Sequence, residues 1–186
     1  MKIVAVCGMP GSGKGVIADI AKEKGLRVHS MGDVVRDHFS RDCPGRDQIE
    51  TGIFADMERK KHGNEIWARR LIYTLEKELK PDTDLVMIDG MRSSTEKEMF
   101  RNRWGADFTI MAVHSSPDTR FKRLAERMRK DDTTDRKRFD ERDDRELGWG
   151  LGNIISKADI MLVNESGKET FEQEVCDLIE ELEDER

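Results

Sequence analysis

A chain of 186 residues has room for one domain with a real hydrophobic core. Charged residues make up 39% against 36% hydrophobic, and the net charge of −6 speaks against general attraction to nucleic acid, so an anionic ligand needs local arginine and lysine clusters. No apolar run approaches membrane-spanning length, and the scattered Cys7, Cys43 and Cys176 lack metal or redox spacing, so a cytoplasmic protein with reduced thiols and no membrane partner is expected.

The apolar run Ile3 to Cys7 reads as a buried strand that ends at Gly8. The loop Gly8-Met9-Pro10-Gly11-Ser12-Gly13-Lys14-Gly15 follows, then a helix with Ile17, Ile20 and Ala21 on one face. Gly25 stops that helix, and residues 26–30 form a second strand. Met31-Gly32-Asp33-Val34-Val35-Arg36 leads into a helix that Pro44 and Gly45 end. Residues 46–63 carry few apolar positions and read as a small, movable helical insert. Asn64 is placed to cap the next helix, which turns Ala68, Leu71, Ile72, Leu75 and Leu79 inward. Asp84 to Asp89 is a third strand closed by a carboxylate; Gly90-Met91-Arg92 follows, then a helix from about Ser94. Asp107 to His114 is the fourth strand, and Ser116-Pro117 opens a helix. From Asp118 to Glu146, 21 of 29 residues are charged, which reads as a lid around a loop at Lys130–Asp135. Asp159 to Asn164 is the fifth strand, and a helix with Phe171, Val175, Leu178, Ile179 and Leu182 on one face closes the chain.

Strands alternating with helices predict an α/β fold, a three-layer α/β/α sandwich around a five-stranded parallel sheet. One domain spans 1–186, with its core in 1–45, 64–116 and 147–186, the insert at about 46–63 and the lid at about 123–146. Ligands in such folds bind at the carboxyl ends of the strands. Those ends gather Gly8–Gly15, Ser30–Arg36, Asp89–Arg92, His114–Ser116 and Asn164–Gly167.

The spacing of Gly8, Gly13 and Lys14 fits the phosphate-loop pattern G-x-x-x-x-G-K, with Gly15 where Ser or Thr is usual. Glycines let backbone N–H groups curl around a phosphate, and the helix N-terminus adds positive potential. Lys14 supplies a full charge that can follow a transferred phosphoryl group. Arg36 and Arg92 stand at strand ends, where a planar fork of donors can grip an acceptor phosphate. Asp33 can bind a ribose hydroxyl or fix its own loop, or cap a helix. Asp89 can orient Mg²⁺-bound water, polarise an acceptor hydroxyl, or shape the turn before Gly90. Of the arginines in the charged stretch, Arg123 and Arg127 before the loop and Arg142 after it are placed to close over phosphates. Trp149 reads as a base-stacking wall or as packing.

GMPGSGKG resembles the G-x-P-G-x-G-K-G loop of the adenylate kinase group. SMGDVVR is similar to that group's S-T-G-D-x-x-R, and Asp89-Gly-Met-Arg92 to its D-G-x-P-R without the Pro. Together with HSSPDTRFKRL, ERDDRELGWG and ADIMLVN, these segments resemble an archaeal family of P-loop kinases called adenylate-kinase-related or dephospho-CoA-kinase-like. The resemblance implies an ATP-dependent phosphotransferase of the nucleoside monophosphate kinase type. ATP would lie on residues 8–15 with Mg²⁺ on Asp89 through water, and a nucleotide-like small molecule would be the acceptor, in a monomer or small homo-oligomer. The alternatives are transfer to a ribose hydroxyl, as in dephospho-CoA kinases, and an ATP-binding or ATPase regulator.

Overall fold

The computed structural model describes residues 1–46, 51–80, 83–127 and 133–184. Five strands, β1 (Lys2–Cys7), β2 (Arg27–Ser30), β3 (Leu85–Asp89), β4 (Phe108–His114) and β5 (Ile160–Val163), form one all-parallel sheet in the order β2-β3-β1-β4-β5. The edge strands β2 and β5 are short, with four residues each, and are paired on one side only, whereas β1 is paired on both: Ile3 lies opposite Val86 of β3 and Phe108 of β4.

The pleat of β1 divides the core. Ile3, Ala5 and Cys7 face one cluster and Val4 and Val6 the other, as period-2 alternation requires. Helices α1 (Lys14–Glu23) and α9 (Lys168–Asp184) cover the Val4 side with Ile17, Ile20, Phe171, Val175 and Ile179. Helices α2 (Met31–Asp42), α4 (Ile66–Glu78), α5 (Ser94–Trp104) and α8 (Leu151–Ile155) cover the other. Helix α6 (Pro117–Arg127) and helix α7 (Arg136–Gly148) stand at the carboxyl ends of the strands. The expected three-layer arrangement around a five-stranded parallel sheet holds. Among the described residues, no helix is long and apolar enough to cross a membrane.

One local reading changes, and the insert gains detail. Asn64 caps nothing; α4 starts at Ile66 after Gly63 takes a left-handed φ of 98°, and no side chain caps it. The segment 46–63 contains α3 (Thr51–His62), which aromatic packing fastens although its apolar content is thin. Phe54 lies 5.5 Å from Phe39 and 6.0 Å from Trp67, whose Nε1 donates to the Ala55 carbonyl at 3.3 Å. Residues 47–50 of the expected insert are outside the described residues.

Trp67 is fully buried and joins α2, α3 and α4. Trp67→Ala should cost about 3–5 kcal/mol by removing a large core side chain. Urea unfolding followed by circular dichroism checks this; a loss below about 1 kcal/mol would show that α3 is not held through this ring.

Candidate functional site

The loop between β1 and α1 is shaped by glycine and fixed from outside. Gly13 precedes α1 with φ 109°, a left-handed value, and a Cβ there would collide with Asn164 Nδ2. That nitrogen donates to the Ser12 carbonyl at 2.9 Å. Ser115 Oγ donates to the Asn164 carbonyl at 2.6 Å, and Arg123 donates to Ser115 Oγ at 3.0 Å and to Asn164 Oδ1 at 3.1 Å. The ends of β4 and β5 thereby brace the back of the loop.

Lys14 folds over the loop. Its ammonium donates to the Gly8 carbonyl at 2.6 Å and the Met9 carbonyl at 3.2 Å. Burial pushes its pKa down, most strongly of all influences; Asp89 and Glu146 pull it back up, and Arg92 pushes it down again. Four side chains from β3, the turn after it, α1 and α7 therefore share one electrostatic field.

Asp89 ends β3, opposite Val6 of β1 and Ser30 of β2. Its Oδ1 is buried and has no hydrogen-bond partner among the described residues, and the same is true of Ser12 Oγ. Arg92 is gripped twice. Its Nη1 donates to Glu146 Oε1 at 3.2 Å, and its backbone N–H donates to Glu96 Oε2 at 2.8 Å. Glu96 completes a capping box with Ser93 at the start of α5, and Arg59 of α3 stands 3.4 Å from its other oxygen. Arg142 lies 3.9 Å from Glu146 Oε1. Ser30, not Asp33, caps α2; Asp33 and Arg36 form an exposed ion pair with each other in its first turn.

The structure thus sets Asp89, Glu146 and Arg92 about Lys14, with Arg92 and Arg142 on Glu146, places Arg123 behind the loop, and sets Asp33 and Arg36 together on α2. Arg127 is exposed on the last turn of α6. The expected lid loop, Lys130–Asp135, lies outside the described residues as far as 132. The Trp149 ring is packed under guanidinium groups, with Arg59 at 5.0 Å and Arg145 at 5.7 Å. Four residues were not singled out from sequence: Glu96, Arg120, Asp143 and Glu146. The Ser93-x-x-Glu96 spacing is a capping-box signature that could have flagged the first; the other three sit in a charge run with no apolar period.

These residues fit a nucleotide phosphate. A glycine cradle at a helix N-terminus, a lysine ammonium and two buried oxygens without partners leave donors and acceptors to be satisfied by a ligand. The unpartnered Asp89 oxygen is a hard donor of the kind Mg²⁺ takes through water. Among the described residues, no group of three or more His, Cys, Asp or Glu could hold a metal unaided.

Comparison with known proteins agrees with this geometry. The AAA domain family profile matches residues 7–139. A UPF0200 protein of Methanopyrus kandleri is 42% identical over 164 residues, covering 88% of this chain and 81% of that one. One of Hyperthermus butylicus is 41% identical over 180 residues, covering 97% and 94%. The chain belongs to the AAA domain family and to the UPF0200 group. In solved structures its fold recurs in shikimate kinase from Bacteroides thetaiotaomicron, at a TM-score of 0.60 and 14% identity over 98% of both chains. It recurs also in TT1252 from Thermus thermophilus, at 0.62 and 19% identity over 97% of both. At such identities the likeness speaks for the fold alone.

Cys7 closes β1 beside the loop, and burial pushes its thiol up to about 12, against a smaller downward pull from Lys14. Cys43 and Cys176 are half-buried. Alkylation of the native UPF0200 chain near pH 8 should label Cys43 and Cys176 and spare Cys7 until denaturant is added. Peptide mass mapping reads the sites; rapid native labelling of Cys7 would contradict the packing of β1.

Proposed function

We propose that this protein is an ATP-dependent phosphotransferase that moves the γ-phosphoryl group of ATP to a nucleotide or nucleotide-like small molecule. One observation carries the reading: the Lys14 ammonium in its glycine loop shares a field with a carboxylate whose buried Oδ1 has no partner among the described residues and with an anchored arginine. Transfer between two anions needs cations on both sides and little covalent chemistry from the protein. Gly8 to Gly15, with Met9, Pro10, Ser12 and Lys14 among them, would hold the donor phosphates through backbone N–H groups. Lys14 would follow the phosphoryl group as charge moves off the donor. Mg²⁺, when bound through water to Asp89, would supply charge neutralisation on the phosphates. Arg142 stands 3.9 Å from the Glu146 carboxylate that also holds Arg92, and Arg127 would approach from α6.

On the acceptor side Arg92, Arg36 and Asp33 are the binding groups. A phosphate acceptor, as in nucleoside monophosphate kinases, would draw on the two arginines. A hydroxyl acceptor, as in dephospho-CoA kinases, would draw on Asp89 as the base. The second has an observation in its favour: Arg92 and Arg36 already hold carboxylates, whereas Asp89 Oδ1 holds nothing among the described residues.

The test is ADP release from Mg·ATP against nucleoside monophosphates, nucleosides and dephospho-CoA, with the product weighed by mass spectrometry. One phosphorylated product is expected, and its position tells phosphate from hydroxyl. ADP release indifferent to every acceptor would favour an ATP-binding regulator. Lys14→Ala should lower turnover by about a thousandfold or more with the fold intact; near-normal turnover would sink the proposal. Arg92→Ala should raise the acceptor KM about tenfold or more, while the ATP KM moves less. The reverse pattern would mean that Arg92 serves the donor.

A further inference from the structure

Helix α7 buries one stripe, Phe139, Asp143 and Glu146, at positions i, i+4 and i+7. A helix docked for stability alone fills such a stripe with apolar side chains; here two of the three are carboxylates. A buried carboxylate costs free energy unless it is paired. Glu146 pairs with Arg92, as described. Asp143 pairs two-pronged with Arg120 of α6: Nη1 donates to Oδ1 at 2.9 Å and Nη2 to Oδ2.

Arg120 spends its other hydrogen bonds on the glycine loop and its brace. Nη1 also donates to the Pro10 carbonyl at 3.2 Å, and Nε donates to the Ser115 carbonyl at 3.2 Å. Only 4% of the Arg120 side chain is exposed, and its guanidinium stands 5.0 Å from the Phe139 ring centre. The backbone is as close: a Cβ on Gly11 would lie 2.9 Å from the Arg120 carbonyl oxygen, and Gly11 has a left-handed φ of 82°. The middle of α6 is therefore fitted against the loop by both side chain and main chain.

We propose that Arg120 and Asp143 are positioning residues for the nucleotide-phosphate loop, and that donor affinity depends on α7 being docked. Arg120 holds the Pro10 carbonyl, and with it the course of the backbone that Gly11, Ser12 and Gly13 continue. Asp143 compensates the buried guanidinium and fixes the plane of its fork. Neither side chain needs to touch the phosphate. This rests on residues 8–15 being a nucleotide site. A purely structural pair would tie α6 to α7 and leave the nucleotide affinity of the folded protein alone.

The experiment is calorimetric titration of the full chain with Mg·ADP, with thermal unfolding of every variant and titration well below its onset. Arg120→Lys keeps the charge and loses the fork; Asp143→Asn keeps the shape and loses the charge. Each should weaken ADP about tenfold or more. Asp143→Glu, which restores the carboxylate, should recover part of the loss. Asp144→Asn removes the same charge from the exposed side of α7 and should bind as the natural chain does. Folded Arg120→Lys and Asp143→Asn variants that bind ADP within twofold of the natural chain would overturn the inference. If Asp143→Asn does not fold, Arg120→Lys with Asp143→Glu decides the matter alone. Failure of the natural chain to bind Mg·ADP would instead overturn the nucleotide-site reading on which the inference rests.

Discussion

A lysine ammonium held against its own loop at the end of a buried parallel strand is the constraint on which the site depends. Burial disfavours the charge on Lys14, and the Gly8 and Met9 carbonyls accept its hydrogen bonds without supplying a full negative charge. Compensation has to come from carboxylates nearby, and two elements bring them. β3 lies directly beside β1, so Asp89 ends level with Val6 just before the loop. α7 lies over the same end of the sheet and brings Glu146. The strand order that puts β3 and β4 on either side of β1 is thus also the order that charges and braces the loop.

The fold was legible because its signals are local or periodic. β1, β3 and β4 are apolar runs, and each ends at the residue where the chain turns into the site. Ile17, Ile20 and Ala21, and later Phe171, Val175 and Ile179, show a helical stripe that finds the sheet. Other features depend on partners that local composition does not show. The segment 46–63 has few apolar residues, yet Phe54 and Ala55 meet Phe39 and Trp67 from elsewhere in the chain, and such partners are invisible to a local count. Asn64 offered a good capping side chain, but the left-handed turn at Gly63 starts the helix two residues beyond it.

The site divides in the same way. The glycine loop, Lys14, Asp89 and Arg92 were readable because each stands next to a strand end, where open parallel sheets bind ligands. Their counter-ions were not. In Asp118–Glu146 every helical face carries charge, so no period marks which carboxylates turn inward; Asp143 and Glu146 are picked out only by Arg120 and Arg92, 23 and 54 residues away. Arg123 shows the converse. It was readable as an arginine near a phosphate, but its guanidinium meets Ser115 and Asn164, three acceptors that the sequence gives no means of pairing with it.

The two buried carboxylates of α7 stand three residues apart, about 4.5 Å of helix rise. One answers an arginine that braces the glycine loop, the other the arginine proposed for the acceptor side. A rigid helix cannot move one of these contacts and spare the other. If α7 lifts, Arg120 and Arg92 both lose their counter-ions, and each is left a cation with less compensation. If an anion settles beside Arg92, it competes with Glu146 and strains the same helix that steadies Pro10. Two-substrate chemistry that must exclude water gains from such an arrangement, since neither half of the site can be disturbed in isolation. The high charge of this stretch, which in composition looks like a solvated surface, therefore contains two buried carboxylates whose contacts, one to the brace of the glycine loop and one to Arg92, are carried by the same rigid helix.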